Sequence, residues 1–511
     1  MKPLVFFAVL FIVIAFSFSA SIGHEGAAAR YISIRECVEI ALKNNIDIAV
    51  ARAEKEIGEA GVPVEEAAFL PKFTGDLSAS RSIAPTGSAL DGSLALDQRA
   101  YKFDLGVKDL LRTGTALSLA FENQRQESST SIALLSPQYN TALTLSATQP
   151  LLKNRGRQVT EAPLLIARAG ASAKTEDWKA KVMDIVAAAR SAFLSFASAV
   201  REVEVRRSAL ALAERLLLQT DARIESGAAA PIDRLPAEAA VAARKEELIR
   251  AEAAAQGSAD ELKTVLGMRS VNEWDEQLVP APLQGDVAPP AAGETAEAAM
   301  RRRPEAAAQS GRKKQAELQE AVSRNRTLPS LDLTVSGGLS GLSGTPTPNP
   351  LFPTSAAAFT GNYGDSVDQM FSGRYYSWFV GLKSELPWRF DREKAEWARA
   401  RSTLDEQRLL EEGLILKIRS EVRKARRDLE SALERIAAAR SSVTAASKKL
   451  EAEEEKLSLG RSTTVEVLRF QQDRSEALLS EARARTDAWL AQTRLWRAVG
   501  TILEREGITL R

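Results

Sequence analysis

Apolar positions along the chain fall into two ladders of seven-residue spacing. The first runs through Val182, Ala189, Phe196, Val203, Leu210, Leu217 and Ile224, followed by Gly227. The second runs through Ile415, Val422, Leu429, Ile436, Val443, Leu450 and Leu457, followed by Gly460, and every rung lies 233 positions after its counterpart. A strict heptad held this long keeps one seam against a neighbouring helix only if the helices supercoil left-handedly. Two such ladders in register mark an internal duplication. The first predicts a helix over about Glu161 to Ser226, roughly 90 Å long at ~1.5 Å per residue, ended by Gly227 as a left-handed C-cap. A returning helix is predicted from near Asp233 to Gly267 and its counterpart from near Val465 to Gly500, with equal spacing between the bounding glycines of each half.

Each half opens with an amphipathic pattern, about Ser33 to Ala68 and about Glu294 to Arg326, read as one helix each. Both end in a leucine-proline pair, Leu70-Pro71 and Leu328-Pro329, and proline disfavours helix at the residue before it. The period then changes to two. Phe73, Gly75, Leu77 and Ala79 alternate with polar residues, as do Leu331, Leu333 and Val335. Each excursion returns through a second alternating stretch, Thr141 to Thr148 before Pro150, and Tyr376 to Leu386 before Pro387. These read as strands of roughly 8 to 11 residues, the length a tilted outer-membrane strand needs. Gly337 to Pro353 reads as a Gly/Ser/Pro loop. The first excursion holds two further strand-like runs, Tyr101 to Val107 and Thr115 to Phe121, around a turn at Thr113-Gly114; the pattern leaves open which of its four segments enter a barrel. The organisation is thus a first repeat over 24–270 (excursion 72–150, hairpin 161–267), a linker over 271–293 with Pro280, Pro282, Pro289 and Pro290, and a second repeat over 294–511 (excursion 330–387, hairpin 391–500).

The N-terminus reads as an export signal over 1–23. Lys2 precedes the apolar run Leu4 to Phe16, and small residues follow at Ser19, Ala20, Ser21 and Gly23. The run is short for the roughly 20 residues of a spanning helix, and no cysteine near it could carry a lipid. No other 18-residue apolar stretch is expected, so the exported chain is either soluble or held in a membrane by strands.

Composition then narrows the chemistry. Lys+Arg of 68 against Asp+Glu of 67 leaves a net charge of +1, which gives no surplus for neutralising nucleic-acid phosphates. One cysteine, Cys37, and one histidine, His24, argue against a disulfide, a Cys/His zinc site or a Ser-His-Asp triad. No metal, cofactor or catalytic residue is expected, and the chain is not read as an enzyme. Cys37 reads as a small buried helix residue.

Two strands per half give four per chain, too few to close a membrane barrel of eight or more. Unpaired backbone groups in lipid each cost several kcal/mol, so membrane strands have to be pooled between copies. A trimer supplies about 12, and the ladder helices then project from the membrane.

Three segments carry a resemblance: Arg35 to Asn45, Ala147 to Gly156 (Ala-Thr-Gln-Pro-Leu-Leu-Lys-Asn-Arg-Gly) and Gly460 to Leu468. They are similar to the signature stretches of TolC-type outer-membrane efflux proteins, and the likeness covers nearly all of the chain beyond the leader. It implies an α+β membrane protein: a homotrimer with a 12-stranded outer-membrane β-barrel continuing into a long α-helical periplasmic barrel, built from two repeats per chain. It also implies a passive exit channel of a tripartite efflux pump or type I secretion system, with a periplasmic adaptor and an inner-membrane transporter as partners.

The resemblance places adaptor contacts and the entrance at the helical tips. The matching positions are Gly227, Ala228, Ala229, Ile232 and Asp233 in the first tip, and Gly460, Arg461, Ser462, Thr463, Thr464, Val465 and Glu466 in the second. Helix punctuation alone asks for many of the same residue types. Two acidic residues three apart ring the entrance in some family members; here the pair is Glu466 and Arg469, whose charges partly cancel. Tyr375, Tyr376 and Trp378 read equally as interfacial aromatics or as strand packing. The competing readings are a non-transporting coiled-coil anchor of the outer membrane and a soluble periplasmic enzyme with helical insertions.

Overall fold

The computed structural model describes residues 30–87, 94–283, 285–347 and 357–510. The expected leader and His24 lie outside the described residues. In chain order the elements are β1 (Arg30–Ile32), α1 (Ile34–Asn44), α2 (Ile46–Glu66), β2 (Lys72–Pro85), β3 (Ala95–Leu110), β4 (Ala116–Ser128), β5 (Leu135–Pro150), α3 (Arg157–Thr160), α4 (Ala162–Glu225), α5 (Arg234–Leu266), α6 (Val271–Asp275) and β6 (Leu278–Pro280). The second half holds α7 (Ala296–Arg302), α8 (Pro304–Arg326), β7 (Ser330–Pro346), α9 (Tyr363–Phe371), β8 (Tyr376–Glu385), α10 (Asp391–Ser458), α11 (Thr464–Val499) and α12 (Ile502–Arg505). They form two compact units. One comprises the residues up to Asn45, Ala188–Asp286 and Ile436–Thr486; the other comprises Ile46–Ala187, Val287–Arg435 and Asp487 onward.

In the first unit, Ser33 starts α1 with a capping box. Its Oγ accepts the Glu36 N–H at 3.3 Å, and Glu36 Oε2 accepts the Ser33 N–H at 2.8 Å, which satisfies two orphan donors at once. Cys37, Val38 and Ala41 face inward, together with Leu262 and Leu266 of α5. Burial pushes the Cys37 thiol up to about 12, so no thiolate is available there. Two expectations change at this point. The opening pattern is not one helix, because Asn45 is extended at φ −64°, ψ 129° and separates α1 from α2. Its side-chain Nδ2 donates to the Val265 carbonyl at 2.8 Å. The counterpart breaks at Arg303, before Pro304, where proline disfavours helix. The stretch read as a linker also begins as ordered structure: α6 is capped by Ser270, and β6 pairs in parallel with β1.

The second unit holds the sheet. All six long strands form one antiparallel sheet in the order β2-β3-β4-β5-β7-β8. The count of four per chain is therefore corrected to six, and the lengths to 10–17 residues. The two further runs pair with each other as β3 and β4, with a gap at Phe103 and Asp104. Their turn has Gly114 at φ 92°, where an added Cβ would sit 3.0 Å from the Asn154 carbonyl oxygen. Gly337 to Pro346, read as loop, is strand. Those glycines serve close approach: a Cβ on Gly341 would lie 1.9 Å from the Ser366 carbonyl of α9, and strand glycines commonly mark such contacts. In α9, Gln369 Oε1 accepts the Leu342 N–H at 2.6 Å, covering the outer part of β7 that β8 does not reach.

Beneath the sheet in sequence, helices of this unit make contact in the row α2, α4, α8, α10. Lys174 Nζ meets Glu54 Oε2 at 2.8 Å between α2 and α4. Arg312 meets Asp177 at 2.6 Å between α4 and α8. Between α8 and α10, Lys313 meets Glu411 at 2.7 Å and Trp397 Nε1 donates to Glu320 Oε1 at 2.6 Å. The α4–α8 contact is close because Gly311 faces Ala169 and Ala173. Helix α4 does contain a stretch long and apolar enough to span a membrane by length and composition, contrary to the sequence reading. Part of its apolar surface is used internally, with Val182, Met183, Val186, Phe193 and Leu194 buried.

Candidate functional site: a two-faced sheet and paired helical tips

The sheet register sorts side chains by face, since neighbours along a strand alternate. One row through all six strands reads Phe73, Val107, Leu119, Leu145, Gly337, Trp378. The row beside it, on the opposite face, reads Thr74, Gly106, Ala120, Thr144, Gly338, Ser377. The next row of the first face is Gly75, Leu105, Phe121, Leu143, Leu339, Tyr376. Phe73, Leu105, Leu145, Tyr376 and Trp378 are all exposed, Trp378 at 75%. An exposed apolar band of this breadth is unusual on a water-facing surface and is what a lipid-facing barrel wall presents.

Farther along the strands the same face becomes charged. Arg81 and Asp97 form an ion pair at 2.7 Å, and α9 lies over Thr141 and Gly341, with Thr141 Oγ1 donating to the Ser366 carbonyl at 3.0 Å. The opposite face stays polar, with Lys102, Asp104, Glu122, Gln124 and Asn140 lining a cavity of about 540 Å³ next to Phe359 and Tyr375. Tyr375 thus stands on the polar face, while Tyr376 and Trp378 stand in the apolar band.

At the tips, both helices end alike. The Ala228 N–H reaches the Arg223 carbonyl at 2.7 Å, and the Arg461 N–H reaches the Lys456 carbonyl at 2.8 Å. Gly227 and Gly460 take φ 76° and 69°, the left-handed conformation that this closure needs. In the first tip, Asp233 Oδ2 accepts the Ala230 N–H at 3.1 Å. In the second, Thr463 Oγ1 accepts the Glu466 N–H at 3.3 Å, an ordinary N-cap. Ile232 and Val465, at equivalent positions, are exposed, as are Gly227, Ala228, Gly460, Arg461, Glu466 and Arg469, whereas Thr464 is buried.

One tip residue escaped sequence reading. Glu453 is nearly buried on α10, accepting from Ser462 Oγ at 2.5 Å and Lys456 Nζ at 2.9 Å. The Ser462 hydrogen bond, followed by that of Lys456, holds its carboxyl below the usual range. The signal was present: Ile418, Ala425, Ala432, Ala439 and Ala446 form a second heptad row, and Glu453 is the carboxylate that ends it. Leu450, Leu457, Leu216 and Val467 make the apolar cluster beside it.

A profile of the outer membrane efflux protein family matches residues 37–268 and 295–501. The chain belongs to the outer membrane efflux protein family. Among curated protein sequences none matches. The fold is similar to that of a membrane protein from Pseudomonas aeruginosa, with TM-score 0.65 and 21% identity, covering 91% of this chain and 93% of that one. It is similar also to the CmeC outer membrane channel of Campylobacter jejuni (0.63, 17%, 92% and 85%) and to the outer membrane protein VceC of Vibrio cholerae (0.64, 14%, 91% and 96%). This efflux protein thus shares a helix-rich α+β fold with those outer-membrane structures.

Proposed function

We propose that this efflux protein is the passive exit duct of a tripartite efflux pump or type I secretion system. It works as a homotrimer coupled to an inner-membrane transporter through a periplasmic adaptor. What supports the reading is the face separation of the sheet: the same strands carry an exposed apolar band on one face and polar side chains on the other, the alternation of a membrane barrel wall around a polar interior. Among the described residues no cluster of metal-ligating side chains occurs. The duct supplies passage, and the transporter supplies energy.

The tips are the docking end in this reading. Ile232 and Val465 offer matched apolar contacts to an adaptor from the two repeats, and the capped turns hold them rigidly. Glu466 and Arg469, exposed in the first turn and a half of α11, set the charge at the entrance, weakly because they oppose one another.

Deleting the gene and measuring sensitivity to a compound panel, alongside secretion of proteins, tests the assignment. Loss of one or the other names the pump class. Unchanged resistance and secretion, together with no conductance of the purified protein in planar bilayers, would leave the anchor reading standing instead.

A further inference from the structure

The cavity on the polar face lies where the hydrogen-bonded ladder of the sheet opens. Lys102 pairs with Gln124 and Leu105 with Phe121, but between them Phe103 and Asp104 have no ladder partner on β4. Side chains fill the break. The Asn123 N–H donates to Asp104 Oδ1 at 2.9 Å, and Asn123 Nδ2 donates to the Phe103 carbonyl at 2.8 Å. The Tyr363 hydroxyl of α9 donates to Asn123 Oδ1 at 2.8 Å and ties the break to that helix. The register on either side sets Asp104 opposite Glu122, and Asp76 of β2 stands opposite Asp104 on its other flank. All three carboxylates share the polar face. Like charges directly opposite destabilise a sheet, and the lysine of the cavity, Lys102, offsets only one of them. Among the described residues no ion pair engages Asp76, Lys102, Asp104 or Glu122.

Two aromatic rings line the same cavity. Phe359 and Tyr375 have centroids 6.2 Å apart and are tilted by 42°. Both are fastened to β7. The Ser340 N–H donates to the Tyr375 carbonyl at 3.0 Å, and the Gly361 N–H, two residues after Phe359, donates to the Gly344 carbonyl at 3.0 Å.

We propose that this cavity is a binding site for a monovalent organic cation that carries aromatic rings. The positive centre meets Asp104 and Glu122 and relieves their repulsion. The rings pack on Phe359 and Tyr375, whose faces also attract positive charge. The volume of about 540 Å³ falls within the roughly 300–1,000 Å³ of small-molecule sites. An anion of the same shape meets a net negative wall and is refused. The helical tips have no such bias, since Glu466 and Arg469 oppose one another, so selection by charge belongs to the sheet. The location of the site inside a bore rests on the duct reading; its ligand chemistry rests on the cavity alone.

The test uses the purified full chain and two ions of matching size and shape but opposite charge, tetraphenylphosphonium and tetraphenylborate. Each is titrated calorimetrically against the protein in micelles and against empty micelles. Tetraphenylphosphonium should bind saturably, one per chain, and tetraphenylborate should give only the micelle signal. The double variant Asp104→Asn/Glu122→Gln keeps both side-chain shapes and an acceptor for the Asn123 N–H. It should weaken binding about tenfold or more, whereas Lys102→Gln should tighten it. A gain of affinity cannot come from misfolding, so Lys102→Gln decides the matter even if the double variant assembles poorly. Equal binding of the two ions, or unchanged affinity in both variants, would overturn the proposal. In planar bilayers tetraphenylphosphonium should reduce the single-channel current of the parent and not that of the double variant. A conducting pore that neither binds it nor is blocked by it defeats this inference alone. Saturable, charge-dependent binding by a protein that does not conduct supports the site and defeats the duct reading.

Discussion

Glu305 lies where Arg303 and Arg497 converge, at 3.0 Å and 2.6 Å, and Arg497 also reaches Asp184 at 2.7 Å. Burial raises the Glu305 carboxyl, but the Arg303 hydrogen bond and the nearby Arg497 outweigh it and hold it at about 2, against an ordinary 4.5. A depressed carboxylate stabilises the fold in full above its unfolded pKa and loses that contribution as pH falls towards the folded value. Here the window runs from about pH 4.5 down to about 2, and the contribution is on the order of 3 kcal/mol. Glu305→Gln should lower the unfolding midpoint at pH 7 and leave two arginines short of a partner. The gap from the parent should narrow as thermal melts are repeated at lower pH through that window. A gap of constant size from pH 7 to pH 3 would show that the pairing carries no linked proton.

Elements depend on a few positions whose backbone is special. Gly413 sits inside α10 with open space around its missing Cβ, whereas Gly460 holds φ 69°. Gly413→Ala should therefore raise helix stability by ~0.5–1 kcal/mol, and Gly460→Ala should lower it by ~1–2 kcal/mol. Midpoints of thermal or denaturant unfolding that moved in the same direction for both would contradict the backbone argument. Proline at Leu210 or Val443, mid-ladder, removes a helix bond and should cost ~3 kcal/mol or more, enough to abolish export; full export by both variants would mean the helices need not be continuous. These elements were legible because a seven-residue seam and its closing glycines are local signals. The breaks at Asn45 and Arg303 were less so, since Asn45 leaves the helix to bond the Val265 carbonyl, 220 residues away. Gly341 misled for a similar reason. Its composition says loop, and only the backbone of α9 across it shows why a strand needs glycine there. The turns after α4 and α10 are legible from their local capping signals, whereas Glu453 is not, because its partner Ser462 sits in the turn nine residues on.

For the whole molecule, the decisive property is which way a strand residue points, and two adjacent residues can expose it. Leu145 stands in the apolar row and Thr144 in the polar row of β5, a central strand paired on both sides. Leu145→Arg puts a charge against lipid, at ~2–4 kcal/mol near the bilayer midplane, and should sharply reduce assembled protein in outer-membrane fractions. Thr144→Arg puts the same charge into water on the other face. It should assemble normally and shift ion selectivity towards anions in single-channel recordings, since a ring of fixed positive charge attracts them. The chemistry of the substitution is identical and the positions are one residue apart, so propensity and helix content cannot produce a difference. If both variants assembled equally well, or if the effects were exchanged, the polar face would not be the lumen, and the duct would have to be sought on the other side of the sheet.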